Sequence, residues 1–255
     1  MTSSEYPEYV PRNVEIWTKS NAEYTDAAAE RAWAQEEVTW GVWGIPESEL
    51  HVLGDVSALD VVELGCGTAY LSAWLAKQGA RPVGVDPTPA QLETARRLQA
   101  ETGIDFPLVE AAGEAVPLPD GSFDLAVSEY GASIWADPYR WIPEAARLLR
   151  PEGGLVFLRN STLVTLCSTL EQAGDQLQRP LRGMCRVEWP DTGEIEFHLP
   201  AGDLIGVLRE SGFVLERLLE LYAPDDAETH SYYSYVTAEW ARQWPAEEIW
   251  VARKQ

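Results

Sequence analysis

The sequence predicts an α/β fold, a doubly wound, seven-stranded, mostly parallel sheet with an antiparallel edge strand and a helical lid at the N-terminus. Three observations carry this. Short apolar runs alternate with segments of helical periodicity through the middle of the chain, glycines and prolines punctuate that alternation, and a glycine-rich turn follows the first run. Strands separated by helices demand right-handed crossovers, which make the sheet mainly parallel and cover both of its faces.

Residues 1–52 precede the alternation and are expected to form the lid, with a helix from Asn21 to Val38 and an aromatic segment, Trp40-Gly41-Val42-Trp43. Asp60-Val61-Val62-Glu63-Leu64 is a short strand ended by Gly65, and Leu71, Trp74 and Leu75 then recur at helical spacing until Gly79 stops the helix. Pro82 to Asp86 is a second strand. Thr88-Pro89-Ala90-Gln91 places a capping threonine, a proline at the first helical position and a reciprocal glutamine, which opens a helix running to about Ala100. Phe106 to Val109 and Phe123 to Ser128 read as strands three and four. Asp137-Pro138 opens a helix stopped by Pro151, and Leu155 to Leu158 is strand five. After a cap insertion over 160–200, Leu204, Val207 and Leu208 mark a helix ending near Gly212. Phe213 to Leu221 and Glu248 to Ala252 then read as two last strands, a pair expected to form an antiparallel edge. The whole chain is read as one domain, with its ligand-binding core over 53–159 and residues 201–255 completing the sheet.

The 255 residues are 45% hydrophobic and 24% charged, the composition of a folded globular protein. Lys and Arg number 19 against 41 Asp and Glu, a formal charge of −22. Such a surface repels phosphate backbones and anionic lipid, so nucleic acid and membrane are not expected as partners and a small neutral or cationic ligand fits better. Cys66, Cys167 and Cys185 are odd in number and lack metal-ligand spacing, so neither a disulfide framework nor structural zinc is expected, and a reducing cytoplasm is the default. Met1 to Arg12 holds no apolar signal segment, and no run approaches the length of a membrane span. No internal repeat is present.

In an open parallel sheet the ligand crevice lies beyond the carboxyl ends of the strands, where strand order reverses. The first turn there is Glu63-Leu64-Gly65-Cys66-Gly67-Thr68-Ala69, whose glycines let the backbone pass close to a ligand. Asp86, ending the second strand, is placed to accept both hydroxyls of a ribose lying over that turn. A nicotinamide dinucleotide would use the same parts but needs a third glycine where this chain has Tyr70. Glu63 would also face a diphosphate unfavourably, yet it suits a ligand bearing an ammonium group. S-adenosylmethionine has both the ribose and the ammonium.

Val62-Glu63-Leu64-Gly65-Cys66-Gly67-Thr68 resembles motif I of class I S-adenosylmethionine-dependent methyltransferases, which have a Rossmann-like fold, and Val83-Gly84-Val85-Asp86 is similar to their acidic second motif. The segments Glu114 to Asp124 and Leu148 to Gly154 resemble the family's E-x-L-P-x-P-D-x-S-F-D and L-x-P-G-G motifs. All four stand in the family's order over about residues 55–160. The resemblance implies that Gly65, Cys66 and Gly67 line the methionine and ribose portion, with Glu63 near the amino group, Asp86 on the ribose and Pro87 beside the adenine. It places Ala112-Gly113-Glu114 where the family has an acidic triplet. Ala112 would then be only a wall, and the amides of Gly113 and Glu114 would read the ring edge. Ser128 and Glu129 would lie beside the methionine moiety and the reacting sulfonium. Residues 232–250 and 135–139 resemble a bacterial subset of small-molecule methyltransferases over nearly the whole chain.

Methyl transfer is an in-line displacement that chiefly requires alignment and exclusion of water. A hydroxyl acceptor also needs a base, for which Glu129, Tyr130, His198 and His230 are the candidates. His198 lies in an alternating stretch, Glu196-Phe197-His198-Leu199-Pro200, that suits a structural, partly buried histidine better than a catalytic one. Glu129, Asp137 and Asn160 are too loosely spaced for a metal, and none is expected. Of the 11 tryptophans, Trp40, Trp43 and Trp135 are placed to form an aromatic box shielding the sulfonium. The function expected is thus methyl transfer from S-adenosylmethionine to an O, N or C atom of a small molecule, with S-adenosylhomocysteine as product. A regulator that binds S-adenosylmethionine without turnover, a protein acceptor and an NAD-dependent oxidoreductase are the alternatives.

Overall fold

The computed structural model describes residues 6–255. In chain order it contains α1 (Tyr9–Ser20), a π-helical turn (Asn21–Thr25), α2 (Asp26–Ala34), β1 (Thr39–Trp40), β2 (Ile45–Pro46), α3 (Glu47–Leu50), β3 (Asp60–Leu64), α4 (Tyr70–Lys77), β4 (Arg81–Asp86), α5 (Pro89–Thr102), β5 (Leu108–Glu110) and β6 (Phe123–Glu129). There follow α6 (Ala132–Trp135), α7 (Pro138–Leu148), β7 (Leu149–Asn160), α8 (Thr162–Cys167), β8 (Arg186–Glu188), β9 (Ile195–Phe197), α9 (Ala201–Glu210), β10 (Phe213–Leu221), α10 (Ala238–Ala241) and β11 (Glu247–Lys254).

The central sheet has seven strands in the order β10-β11-β7-β6-β3-β4-β5. The five strands from β3 to β7 are parallel, while β11 runs antiparallel to both β7 and β10. The last two strands therefore form the antiparallel edge that the sequence predicts, with β11 second from the rim and β10 outermost. The chain winds from β3 outward to β5 and returns to the other side of β3 at β6, so the switch point lies between β3 and β6.

Buried residues on successive positions, such as Val61 and Val62, show why β3 reads as a continuous apolar run, since both of its faces are covered. On one face Val62, Leu64, Phe157 and Trp250 pack with α7 and α9, where Trp141 meets Phe157 edge-on at 5.2 Å and Phe157 stacks on Trp250 at 6.0 Å. On the other, Val61, Val127 and Leu158 pack against Leu71, Trp74 and Leu75 of α4.

Several boundaries differ from the sequence reading. Helix begins at Tyr9 rather than Asn21 and ends at Ala34, broken in register by the π turn. Strand three is Leu108–Glu110, and strand five is extended back to Leu149 through an irregularity opposite Phe123/Leu125. The expected capping box at Thr88 does not form. The Thr88 side chain makes no cap bond, and its backbone N–H instead donates to Asp86 Oδ1 at 2.8 Å. Asp137 does cap α7, accepting from Tyr139 N at 3.0 Å.

The N-terminal helices run across the carboxyl end of the sheet and are fastened along their length. Asn13 bonds both backbone groups of Ile195 (2.8 and 3.1 Å), which ties α1 to the β8–β9 hairpin of the 160–200 insertion. Asn21 reaches Ala90 O and Thr94 Oγ1 on α5, and Trp33 Nε1 donates to Thr68 O at 2.9 Å in the turn after β3. Residues 1–5, part of the N-terminal stretch in which no signal segment was expected, lie outside the described residues. Among the described residues no helix is long and apolar enough to cross a membrane, no group of three or more His, Cys, Asp or Glu is arranged to hold a metal, and the three cysteines are free.

Candidate functional site

The turn that leaves β3 is held by backbone bonds. Gly65 N and Cys66 N both donate to Val85 O (2.8 and 2.9 Å), and Gly67 N donates to Asp86 Oδ2 at 2.8 Å. Gly65 has φ +77°, and a Cβ there would lie 2.5 Å from the backbone of Gly131 and Ala132. Its glycine is thus needed for the turn to pass under the loop between β6 and α6, rather than to clear space for a ligand. A Cβ on Gly67 would meet only the Gln91 side chain, at 3.7 Å. Cys66 is buried with its sulfur against Gly84, where a Cβ would approach Sγ to 3.0 Å, so its side chain packs on β4, with Sγ also 3.8 Å from Gly67 O.

Four carboxylates converge at this end of the sheet. Glu63 on β3 is buried under α4 and accepts from Ser72 through the backbone N–H (2.9 Å) and the hydroxyl (2.5 Å). Asp86 ends β4 with both oxygens taken by backbone N–H groups, those of Gly67 and Thr88. Glu129 ends β6; its Oε1 accepts from Gly41 N at 3.2 Å and its Oε2 from the Tyr70 hydroxyl. Glu247 opens β11, and because that strand is antiparallel its first residue lies at the same end as the last residues of β6 and β7. Its Oε1 accepts from Val42 N at 2.8 Å, and its Oε2 is buried with no partner.

Among the described residues none of the four is in an ion pair with Lys, Arg or His. Burial consequently pushes Glu63 up to about 8, opposed by the two Ser72 bonds and reinforced by the nearby Glu129 and Asp86. Burial likewise pushes Glu247 up to about 8 and Glu129 up to about 7, and it raises Asp86 against its two backbone donors. Among the described residues this cluster is rich in acceptors and has no paired cation, an environment that gains from a positive guest.

Residues 62–157 match the family described as a methyltransferase domain. This segment of the chain is similar to methyltransferase domains. An uncharacterised methyltransferase of Mycobacterium bovis is 37% identical over 116 residues, covering 46% of each chain, so the match spans about half the length of that relative. The crystal structure of an S-adenosylmethionine-dependent methyltransferase from Mesorhizobium loti superposes with a TM-score of 0.64 at 25% identity, covering 81% of this chain and 96% of the other. A 1,6-didemethyltoxoflavin-N1-methyltransferase from Burkholderia thailandensis, solved with 1,6-didemethyltoxoflavin and S-adenosylhomocysteine, covers 96% of this chain and 88% of its own at a TM-score of 0.56 and 14% identity, and shares the fold.

Within the matched segment, Glu63, Gly65, Cys66, Gly67, Asp86, Ser128 and Glu129 surround the switch point. Ser128 is structural there, since its hydroxyl donates to Leu64 O (2.8 Å) and accepts from Ser133 N (3.1 Å). Pro87 is half-buried beside Asp86. Ala112 is buried against Tyr9, Val10, Ile195 and Phe197, and a Cβ on Gly113 would lie 2.9 Å from that of Ala132. The Glu114 side chain accepts from the Tyr9 hydroxyl (2.6 Å) and Asp137 N (3.2 Å), so it clamps α1 to the start of α7.

The base candidates separate. Glu129 lies in the carboxylate cluster. Tyr130 has φ +52° and brings its hydroxyl to 3.2 Å from that of Tyr235. His198 is fully buried, with Nε2 2.7 Å from Glu196 Oε2 and Nδ1 3.3 Å from Thr165 Oγ1; burial lowers its proton affinity, against the pull of Glu196. His230 accepts two backbone N–H bonds on Nδ1, from Tyr232 and Tyr233, and shows Nε2 to the Tyr24 hydroxyl. Both nitrogens of each histidine are thereby engaged in holding loops.

The expected tryptophan box does not assemble. Trp40 is fully buried in the core under the lid, with Nε1 donating to Glu47 at 2.8 Å, whereas Trp43 packs with Val164, Ala238 and Trp240, and Trp135 meets Trp17 edge-on at 5.1 Å. The aromatic cluster at the lid is made of tyrosines instead. Tyr24 of the π turn stacks on Tyr232 at 4.0 Å and meets Tyr233 edge-on at 5.6 Å. Sequence reasoning missed these residues, together with Tyr70 and Glu247. The signals were the run Tyr232-Tyr233-Ser234-Tyr235 and the tyrosine standing where a dinucleotide site needs glycine.

Proposed function

We propose that the chain is an S-adenosylmethionine-dependent methyltransferase acting on a small molecule at an O, N or C atom. The observation that carries this reading is the set of buried carboxylates on β3, β4 and β6 around the Gly65–Gly67 turn, none of them paired with a cation. A nucleoside that carries both an ammonium and a sulfonium fits that chemistry. In this reading Asp86 holds the ribose while keeping its bonds to Gly67 and Thr88. Glu63 offsets the amino group from beneath α4, and Pro87 and the amides of Gly113 and Glu114 flank the adenine. When bound, S-adenosylmethionine supplies an activated methyl group whose departure neutralises the sulfonium.

What the chain itself contributes is enclosure, orientation and a proton acceptor. Helix α1, the π turn and α2, fastened at Ile195, Ala90 and Thr68 respectively, exclude water from the crevice. Glu129, pushed up to about 7 by burial and oriented by Tyr70 and Gly41, is the base best placed to hold a proton released by an acceptor. The bulk of Tyr70 where a dinucleotide site requires glycine supports the methyl donor over NAD, and the charge of −22 supports a small neutral or cationic acceptor over nucleic acid. A cytoplasmic enzyme without a metal is the corresponding setting. Calorimetry tests this directly: S-adenosylmethionine and S-adenosylhomocysteine should bind and NAD should not, and the reverse order overturns the assignment. Release of S-adenosylhomocysteine across a panel of small acceptors separates an enzyme from a regulator that only binds.

A further inference from the structure

We infer that the acceptor is an amine, bound as its ammonium between Glu129, Glu247 and Asn160 beneath the Trp40–Trp43 turn. The inference deepens the proposed function and rests on it for the methyl donor. Glu63 and Asp86 lie on β3 and β4, on the side of the glycine turn, and hold the amino group and ribose of the nucleoside. Glu129 adjoins its sulfonium side, while Asn160 and Glu247 lie beyond on β7 and β11 and take no part in holding it.

The ladder fixes their grouping. Glu129 pairs with Leu158 across β6 and β7, and Glu247 pairs with Asn160 across β7 and β11. Residues 158 and 160 share one face of β7 because side chains alternate, so Glu129, Asn160 and Glu247 point to the same side at the carboxyl end of the sheet. All three present acceptor oxygens. Among the described residues the donors to these three are Gly41 N, Val42 N and the Tyr70 hydroxyl, and two oxygens remain without one, Glu247 Oε2 and Asn160 Oδ1. Glu247 is 0% exposed, so water does not make up the deficit from bulk. Asn160 is neutral, so the missing partner is a hydrogen-bond donor as well as a charge. A phenol, a carboxylate or a phosphate offers too few protons or the wrong sign, whereas an ammonium offers up to three N–H donors and the charge together.

The surroundings favour the same guest. Tyr70 lies against Glu129, and Glu129 is close enough to Tyr233 to raise that phenol further, after burial and the neighbouring Tyr24 and Tyr232. Electron-rich rings this near a carboxylate suit a cation. The proton an ammonium must lose before its nitrogen has a free electron pair passes from that nitrogen to Glu129, leaving a neutral amine and a protonated carboxyl. Burial pushes Glu129 up to about 7 and Glu247 up to about 8, so the pair takes up protons near neutrality when no cation is present.

The test uses three ring-matched probes: cyclohexylammonium, cyclohexanol and cyclohexanecarboxylate. Each is titrated by calorimetry into the full chain with and without saturating S-adenosylhomocysteine. The ammonium should bind at least about tenfold more tightly than either of the others, and Glu247→Gln should weaken it by about tenfold while S-adenosylhomocysteine affinity stays within about twofold. Asn160→Leu should weaken it in the same direction, and carries the test if Glu247→Gln does not fold. Equal or tighter binding of the alcohol or the carboxylate, no ammonium binding, or unchanged affinity in the folded variants overturns the inference. If S-adenosylhomocysteine itself fails to bind, the donor assignment falls, and ammonium binding by the free protein still decides the subsite.

Discussion

Replacing Glu63 with glutamine should stabilise the ligand-free protein progressively as pH rises. The Glu63 carboxyl ordinarily titrates at 4.5 and is pushed up to about 8 by burial. Between those values the folded state keeps a proton that the unfolded chain has released, so folding loses about 1.4 kcal/mol per pH unit from this group alone. From pH 5 to pH 8 the loss is roughly 3 kcal/mol, a large part of a typical domain's stability. Glutamine keeps an oxygen for the Ser72 N–H and hydroxyl but does not titrate, so the difference between variant and parent should grow by that amount across the window. Glu129 and Glu247, also raised, lower stability in the same sense in both proteins. His198 and His230, whose proton affinities burial lowers, act oppositely, gaining stability as pH rises to about 6.5. The interval from pH 7 to 8 is therefore free of histidine contributions, and the parent should lose stability through it. Urea unfolding of both proteins at pH 5.5, 7 and 8 without ligand measures the effect. A variant-minus-parent difference that does not change with pH, or a parent that grows more stable from pH 7 to 8, would refute the reasoning.

Gly65→Ala should destabilise the fold by roughly 2 to 4 kcal/mol, because it combines φ +77° with a 2.5 Å approach to the Gly131–Ala132 backbone; thermal unfolding checks it, and a near-neutral change would show that the two loops part readily. Asp86→Asn should weaken S-adenosylmethionine binding by about 1 to 3 kcal/mol in calorimetry, and unchanged affinity would remove Asp86 from the site. Trp33→Phe should cost about 1 kcal/mol of stability by leaving Thr68 O without its donor, and a neutral result in urea unfolding would show that water replaces the indole. Amide exchange at Gly41 and Val42 should slow on adding S-adenosylmethionine, and unaltered rates would uncouple the turn from the ligand.

The sheet was legible because its evidence is local. Val61, Val62 and Leu64 announce a strand buried on both faces, and Gly65 announces its end. Asp86 was legible for the same reason, as the last residue of a short apolar run. What the sequence hid depends on partners far along the chain. Helix α1 shows little apolar character, since its anchoring residue is the amide Asn13, satisfied by Ile195 at the far end of the sequence. The Thr88 pattern fits a capping box, but Asp86 lies two residues upstream and takes the amide first. Trp40 reads as a ligand residue until Glu47 is seen to accept its N–H. Glu247 carries no motif, and only the insertion of antiparallel β11 beside β7 brings it to the crevice.

That placement gives the Trp40–Trp43 turn an electrostatic role. Bonds elsewhere in the lid include neutral ones, such as Trp33 to Thr68 O and Asn13 to Ile195, whose strength does not vary with the charge in the crevice. The turn is held by Gly41 N and Val42 N on Glu129 and Glu247, and an amide bonds an ionised carboxylate about twice as strongly as a neutral carbonyl oxygen. With no cation nearby, burial drives both carboxyls toward their protonated forms and weakens those two bonds. A cation in the crevice restores the ionised forms and tightens the turn over itself. A cationic ligand should therefore slow amide exchange at Gly41 and Val42 more than a neutral ligand of the same shape does, and equal slowing by the two would refute the coupling.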